Sequence, residues 1–289
     1  MSYQIFTDTA ANLPYEEMTR LGIRVLTYPL ELGGARYECP ADLTRFDYKQ
    51  YYHALRSGTP VKTSLINQEV FMDAFAPVLE AGEDVVYIGL SSGVSGTVHS
   101  ARMAAERLCE SYPGRRVEVV DSLGAGLGIG LVACHAADLR AQGMELSALC
   151  ADLREYCGNM RQYFTVDDMM FLRRGGRISG VKAIVGTVLQ IKPILYGNEE
   201  GRIVMIDKAR GRRDAISRIA RLYRETAVDP QHSRVAISHG DCEADAMELA
   251  ERICEIARPG ELIVSVHEPM TGAHVGPGML ALFFAGKGR

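Results

Sequence analysis

Short apolar runs and longer helical patterns alternate along the first half of the chain. Runs rich in β-branched and aromatic residues predict strands at residues 3–7, 25–32, 85–90 and 117–120. Apolar residues spaced three or four apart predict helices at residues 46–57, 69–81, 98–111 and 131–142. Residues 85–90 (Val-Val-Tyr-Ile-Gly-Leu) are apolar on both faces, which is typical of a buried parallel strand. The alternation predicts a parallel sheet with helices on both faces.

The pattern changes after about residue 158. Apolar runs at residues 192–196 and 203–208 flank Gly197-Asn198-Glu199-Glu200-Gly201, which predicts a β-hairpin with a five-residue turn. Further strands are predicted at residues 235–238, 262–267 and 279–284, and helices at residues 213–226 and 242–257. We therefore predict an α/β fold of two domains, a parallel-sheet domain over 1–157 and an α+β domain over 158–289. A crevice between the domains is the expected ligand site.

Composition and charge exclude several classes of function. The chain has 289 residues, 47% of them hydrophobic, and a formal net charge of −4, which gives no reason to expect nucleic acid or an anionic membrane as partner. No run is long enough for a membrane span, and the N-terminus lacks the features of a signal peptide. The seven cysteines are scattered and never in C-x-x-C spacing, so we expect a reducing compartment, the cytoplasm, without disulfides or a zinc site.

The segment Ser91-Ser92-Gly93-Val94-Ser95-Gly96-Thr97 lies between a predicted buried strand and a predicted helix. In an open α/β sheet, ligands bind beyond the carboxyl ends of the strands, and a helix N-terminus there suits an anion. The alternative is an ordinary tight turn with an N-cap, which Ser and Thr also supply. Spacing alone leaves both interpretations open.

Three further segments are candidates with simpler alternatives. Lys62-Thr63-Ser64 follows Pro60 in a predicted loop, and alone it indicates only a turn. Residues 271–278 place His274 among three glycines and a proline, which indicates either a functional residue on a constrained backbone or a histidine that caps a turn. Residues 172–179 are basic and contain Gly175-Gly176, a pattern that is usually a solvated loop.

Motifs for nucleotide or metal enzymes are incomplete or missing. In residues 124–130 the glycines fall at every second position, so they do not match the dinucleotide fingerprint, and close helix–sheet packing explains them equally well. Residues 93–97 miss the G-x-S-x-G nucleophile elbow because the last residue is Thr97. The sequence contains neither a Walker A motif nor H-E-x-x-H.

Taken together, the segments resemble the DegV family, the fatty-acid-binding proteins that serve as the B subunit of bacterial fatty acid kinase. The matching segments, in order, are residues 8–14 (Asp-Thr-Ala-Ala-Asn-Leu-Pro), 63–64, 91–97, 121–122, 175–178, 190–195, 208–210 and 274–278. The resemblance implies a DegV-like two-domain fold that encloses a long-chain fatty acid of roughly C14–C18, for which tail burial supplies roughly 11–15 kcal/mol. It implies a lipid-binding subunit rather than a self-sufficient enzyme, and no cofactor or metal.

The resemblance also assigns roles to individual residues. Thr63 and Ser95 are expected to hydrogen-bond the carboxylate, with the Gly96 amide and His274 nearby. It places Arg177, Arg210 and His274 near that head group, where an ATP-binding kinase subunit docks and the phosphoryl group arrives. One departure is clear, since the family usually continues Thr-Ser with Gln-Pro-Ser and this chain reads Leu65-Ile66-Asn67.

Two alternatives belong to other classes of function. Ser95 and His274 would form the nucleophile and base of a lipid esterase or acyltransferase, with Asp121 as the acid that orients the base. A lipid-responsive interaction protein that never feeds a kinase is the second alternative.

Overall fold

The computed structural model describes residues 2–178 and 191–287, so Ser179 and Gln190 of the segments above lie outside it. In these ranges the strands are β1 Tyr3–Asp8, β2 Ile23–Leu26, β3 Pro29–Leu32, β4 Ala35–Glu38, β5 Val61–Thr63, β6 Asp84–Gly89, β7 Val117–Asp121, β8 Met160–Thr165, β9 Ile191–Gly197, β10 Ile203–Arg210, β11 Arg234–His239, β12 Glu261–Val266 and β13 Leu280–Ala285. The α-helices are α1 Tyr15–Arg20, α2 Tyr48–Arg56, α3 Gln68–Glu80, α4 Thr97–Ser111, α5 Leu127–Ala141, α6 Leu146–Asn159, α7 Met170–Arg174, α8 Arg212–Thr226, α9 Glu243–Ile256 and α10 Pro269–Val275.

The first large sheet is parallel, with strand order β2-β1-β6-β7. Strand β6 lies inside it and all six of its residues are buried, as the apolar run at residues 85–90 predicts. Helices α3 and α4 pack against β6, and α6 packs against β7. The predicted parallel α/β architecture is confirmed.

The second large sheet is mixed, with strand order β10-β9-β8-β13-β11-β12. The predicted hairpin is confirmed as the antiparallel pair β9–β10, in which Gly197 lies opposite Ile203. Along β13, Leu280, Leu282 and Phe284 belong to the core cluster that includes residues of α8 and α9, while the intervening Ala281 and Phe283 belong to the other core. Because neighbouring residues point to opposite faces of a strand, this apolar run is buried on both sides.

Helix α5 joins the two sheets. It packs against β1 and β6 of the first sheet and against β11 and β13 of the second. Its sequence is apolar around nearly the whole circumference, as expected for a helix buried between two layers. The strands of the two large sheets come from residues 3–121 and 160–285. A domain boundary at residue 157 remains a prediction.

A small antiparallel sheet, β4-β3-β5, corrects the strand predicted over residues 25–32. That run is two strands, with Tyr28 between β2 and β3, because the chain leaves the parallel sheet before Pro29 begins the small one. The predicted loop around Thr63 is also wrong, since Thr63 ends β5 opposite Leu30. No helix in the described ranges has the length and apolar character needed to span a bilayer.

Candidate functional site

A cavity of about 320 Å³ lies between the two large sheets. Its volume falls in the range of about 300–1,000 Å³ that is typical of small-molecule sites. Apolar side chains form most of its wall, among them Leu90, Phe164 and Phe283. Arg177 is the only lining residue in the described part of the chain with a fixed formal charge, and none of those lining residues is an acid. Such a wall suits a ligand that is largely apolar and carries one negative group.

The segment Ser91–Thr97 forms the loop between β6 and α4. Ser95 and Gly96 line the cavity. Ser95 Oγ accepts a hydrogen bond from the Thr97 N–H at 3.3 Å and lies 3.0 Å from Thr97 Oγ1. The buried Ser91 hydroxyl donates to Gly201 O at 2.9 Å, which ties the loop to the β9–β10 turn. The N-cap residue of α4 is Gly96, so no side chain caps the helix, while the backbone of Ser91–Ser95 forms a turn. The segment therefore forms a turn that brings the Ser95 hydroxyl to the cavity, and its role in binding an anion remains a prediction.

Thr63 and His274 lie together although they are distant in sequence. Thr63 Oγ1 is 2.8 Å from His274 Nε2, and both residues line the cavity. The interpretation of the His274 segment as a turn is wrong, because His274 lies in the last turn of α10. Gly272 lies inside that helix, at a point where a Cβ would come within 2.7 Å of Tyr52 Oη. The glycine that indicated a turn is required for close packing.

His274 is held in its neutral form. Burial, followed by the nearby charge of Arg177, lowers the pKa of His274 to about 4. Gly175 makes room for the ring, because a Cβ at this position would lie 2.4 Å from His274 Nδ1. Neutral His274 has one N–H donor and one acceptor nitrogen to share with Thr63 and a ligand.

The two arginines of the expected site lie in different surroundings. Arg177 lines the cavity, and its guanidinium donates to the backbone carbonyls of Val94 (3.2 Å) and Gly175. Arg210 is exposed at the end of β10, where its backbone N–H donates to Asp214 Oδ2 at 2.7 Å. It is not among the cavity-lining residues of the described chain. The structure thus brings Thr63, Ser95, Gly96, Arg177 and His274 to the cavity and leaves Arg210 at the surface.

A buried polar cluster behind the cavity was not predicted from the sequence. The Tyr28 side chain lines the cavity and is 1% exposed. Burial raises the pKa of Tyr28, and Thr97 and Ser95, which lie near its hydroxyl, oppose this rise. The Tyr28 hydroxyl also lies 3.4 Å from Asp8 Oδ2, to which the Tyr87 hydroxyl donates. Burial raises the pKa of Asp8 to about 6, although these hydrogen bonds oppose the rise. The sequence did not mark Tyr28 as a functional residue, because it lies in the apolar run at residues 25–32. Asp8, in contrast, belongs to residues 8–14, one of the segments that resemble the DegV family.

Two more buried groups flank the cluster. Glu268 caps α10 by accepting from the backbone N–H groups of Met270 and Thr271, and burial raises its pKa to about 7. His267 lines the cavity between the hydroxyls of Ser238 (3.0 Å) and Thr271 (2.7 Å), and burial lowers its pKa to about 3. Both carboxylate oxygens of Glu268 and both ring nitrogens of His267 therefore have a hydrogen-bond partner, which fixes the two side chains.

The departure at Leu65-Ile66-Asn67 has a local structural explanation. Asn67 caps α3 by accepting from the Val70 N–H at 3.0 Å, and Ile66 is buried in the core. Leu65 is 45% exposed and lines the cavity next to Gly96, where a Cβ on the glycine would meet it at 3.3 Å. The loop therefore presents an apolar side chain to the cavity rim beside the hydroxyl of Thr63.

The glycines of residues 124–130 serve packing. Helix α5 begins at Leu127, earlier than the predicted residue 131. A Cβ on Gly128 would meet the Gln162 side chain at 2.9 Å, and one on Gly130 would meet Ala11 O at 2.7 Å. Gln162 in turn accepts from the Ala125 N–H at 2.9 Å, which closes the cavity wall. Among the described residues no cluster of three or more His, Cys, Asp or Glu side chains could hold a metal ion.

Comparisons with known proteins agree with this architecture. The family model described as "Uncharacterised protein, DegV family" matches residues 2–287. A DegV domain-containing protein of Clostridium perfringens is 34% identical over 284 residues, which covers 98% of this chain and 97% of that protein.

Solved structures give the same result. A DegV family protein from Thermus thermophilus, described by its fatty acid binding, superimposes with a TM-score of 0.89 at 30% identity over 99% of this chain and 100% of that one. DegV from Bacillus subtilis, described as a fatty acid binding protein, superimposes with a TM-score of 0.85 at 28% identity, with the same coverage of both chains. This chain belongs to the DegV family.

Proposed function

We propose that this protein binds one long-chain fatty acid of roughly C14–C18 in the cavity, with the tail against the apolar wall. The cavity carries the proposal, because its wall is mostly apolar and its described lining combines the hydroxyls of Thr63 and Ser95 with one helix end and one guanidinium, and contains no carboxylate. The fatty acid binding described for the relatives from Thermus thermophilus and Bacillus subtilis supports the same ligand.

The proposed carboxylate site consists of Thr63, Ser95, Gly96 and His274. Burying a carboxylate without hydrogen-bond partners is costly, so its donors must be in place before it binds. Helix α4 begins at Thr97, directly after Gly96, and the positive end of its dipole favours an anion at this point. Burial of the tail supplies about 0.8 kcal/mol per CH₂, and hydrogen bonds fix the position of the head group.

We further propose that the protein presents the carboxylate to a separate ATP-binding subunit of a fatty acid kinase, which converts it to an acyl-phosphate. The sequence lacks a recognisable nucleotide-binding loop, so ATP has to come from a partner. Arg210 is exposed and suits a docking surface, while Arg177 and His274 suit the phosphoryl group near the carboxylate. In this scheme the chain is a cytoplasmic binding subunit without a cofactor and is not itself an enzyme.

The geometry gives the esterase alternative no support. His274 Nε2 pairs with Thr63. The Asp121 carboxylate accepts from the backbone N–H groups of Ser92 and Leu123, at 3.2 and 3.0 Å, so it holds the loop. Ser95, His274 and Asp121 therefore do not form a catalytic triad through the contacts described for them.

The test is a binding experiment with delipidated protein. We expect one palmitate to bind per chain, measured by isothermal titration calorimetry, and no turnover of p-nitrophenyl palmitate. Ester turnover by the wild type that disappears in Ser95→Ala would support the esterase function and contradict the carrier function. If the delipidated protein takes up no fatty acid and turns over no ester, both functions are wrong.

A further inference from the structure

A path of buried polar groups leads from the cavity wall into the parallel sheet. It starts at Ser95, whose Oγ lies 3.0 Å from Thr97 Oγ1. Both side chains lie near the hydroxyl of Tyr28 and oppose the rise in its pKa that burial causes. The Tyr28 hydroxyl in turn lies 3.4 Å from Asp8 Oδ2. The path joins a residue of the proposed carboxylate site to a fully buried acid at the end of β1.

The interactions described for the Asp8 carboxyl come from neutral donors. Oδ1 accepts from the Ala10 N–H at 3.0 Å, and Oδ2 accepts from the Tyr87 hydroxyl. Burial opposes ionisation, and without a described cation the hydrogen bonds alone compensate it. A small change in these donors is therefore enough to alter the protonation of Asp8.

Tyr28 can supply that change because its single hydroxyl proton can be donated either to Asp8 or towards Thr97 and Ser95. When Asp8 is ionised, Tyr28 donates to it, and the Tyr28 oxygen is available to accept a hydrogen bond from Ser95 or Thr97. The protons of these hydroxyls then point away from the cavity. When Asp8 is protonated, Tyr28 donates towards Thr97 and Ser95, and the Ser95 proton is directed into the cavity. A bound carboxylate, which only accepts hydrogen bonds, favours the second arrangement.

We propose that Asp8 is a positioning residue for the ligand carboxylate: it takes up one proton when a carboxylate binds and, through Tyr28, directs the Ser95 hydroxyl to donate to that carboxylate. The inference rests on the proposed function, since it needs an anionic head group in the cavity. The proton comes from solvent and forms an O–H bond on Asp8. No other bond is made or broken.

The direction of the pH effect follows from linkage. The bound anion raises the pKa of Asp8 above its value of about 6 in the free protein, so the complex holds the proton to higher pH. Affinity therefore increases as the pH falls towards about 6. Below that value the free protein is already protonated and the gain ends.

Other titratable groups face the same region and must be separated from Asp8. Glu268, at the start of α10, interacts electrostatically with Asp8, and burial raises its pKa to about 7. Tyr28 and Tyr87 stay neutral because burial raises the pKa of each well above its usual value. His274 lies at the cavity and also gains proton affinity beside an anion. Variants at Asp8 and Tyr28 isolate the Asp8 contribution from that of Glu268 and His274.

The experiment measures proton uptake on binding in delipidated wild-type, Asp8→Asn, Tyr28→Phe and Glu268→Gln proteins. Calorimetry at pH 7 in buffers of different ionisation enthalpy gives the protons taken up per ligand. The probes are palmitate and hexadecane-1-sulfonate, which remains anionic throughout the pH range. We expect the wild-type Kd to rise by up to about tenfold per pH unit above pH 6. Asp8→Asn should lose this pH dependence and up to one proton of uptake.

Tyr28→Phe keeps Asp8 but breaks the path, so it should also lose most of that uptake, and it carries the test if Asp8→Asn does not fold. Glu268→Gln should retain the Asp8-dependent uptake. The inference is overturned if Asp8→Asn takes up as many protons as the wild type, or if only Glu268→Gln abolishes uptake. A wild-type protein that binds neither probe contradicts the proposed function instead.

Discussion

Replacing Ser95 by alanine removes a hydroxyl of the proposed carboxylate site and leaves the apolar wall intact. A hydrogen bond to a charged group contributes about 1.5–3 kcal/mol, so we expect the Kd for palmitate to rise by about 10- to 150-fold. The same change removes the acceptor of the Thr97 N–H, at 3.3 Å, from the first turn of α4. Loss of this hydrogen bond costs about 0.5–1.5 kcal/mol of stability, which is a separate effect and measurable without ligand.

Ser92→Ala is the matched control, because Ser92 lies in the same loop but is exposed and is not a cavity-lining residue. Calorimetric titration of palmitate into delipidated Ser95→Ala, Ser92→Ala and wild-type protein gives the three Kd values, and urea unfolding gives their stabilities. Equal Kd values for all three proteins would refute the role of Ser95. So would a loss of affinity in Ser92→Ala as large as in Ser95→Ala.

The remaining predictions concern the groups around His274 and the exposed arginine. Gly175→Ala should weaken palmitate binding by at least about tenfold, because the new Cβ displaces His274, whereas Gly158→Ala, with open space around it, should bind normally in the same titration. The unfolded chain protonates His274 at a pKa of about 6.5 and the folded protein at about 4, so stability contributed by this residue is lost as the pH falls between these values. Delipidated His274→Gln should therefore lose about 2 kcal/mol less than the wild type between pH 7 and pH 5 in urea unfolding, and an equal loss contradicts the burial of His274. Arg210→Ala should keep its lipid and its thermal stability but form less acyl-phosphate with a cognate kinase, and normal turnover would remove Arg210 from the proposed interface.

The sequence predicts those elements whose polarity pattern and burial agree. The hairpin of β9 and β10 was predicted from two apolar runs around a polar, glycine-bearing turn. Helix α6 was not predicted, although Leu146, Leu149, Leu153 and Cys157 mark its buried face with helical spacing. Strand β8 was also not predicted, because its polar residues Arg161 and Gln162 are buried inside a sheet. A pattern of hydrophobic positions cannot reveal polar groups that tertiary contacts satisfy.

The candidate site was predictable where chemistry and family pattern coincide. Thr63, Ser95, Gly96, Arg177 and His274 all reach the cavity, although they come from separate parts of the chain. Their roles in carboxylate binding and kinase docking remain predictions.

The polar cluster behind the cavity was beyond the reach of sequence patterns. Tyr28 belongs to an apolar run, and its position follows from the turn that carries the chain from one sheet to another. Its contact with Asp8 joins residues 20 positions apart, through the packing of β1 against that turn. This proximity depends on how the strands are arranged in the fold, and a local pattern of residues along the sequence does not contain that information.

Native mass spectrometry of the purified protein, followed by denaturation and identification of the extracted lipid, tests the central claim most directly. In the proposed complex the tail is buried between the two sheets, so we expect a mass increase of one fatty acid per chain, roughly C14–C18, without any added lipid. A protein that carries no stoichiometric fatty acid after expression in bacteria, and that takes up none after delipidation, would contradict it.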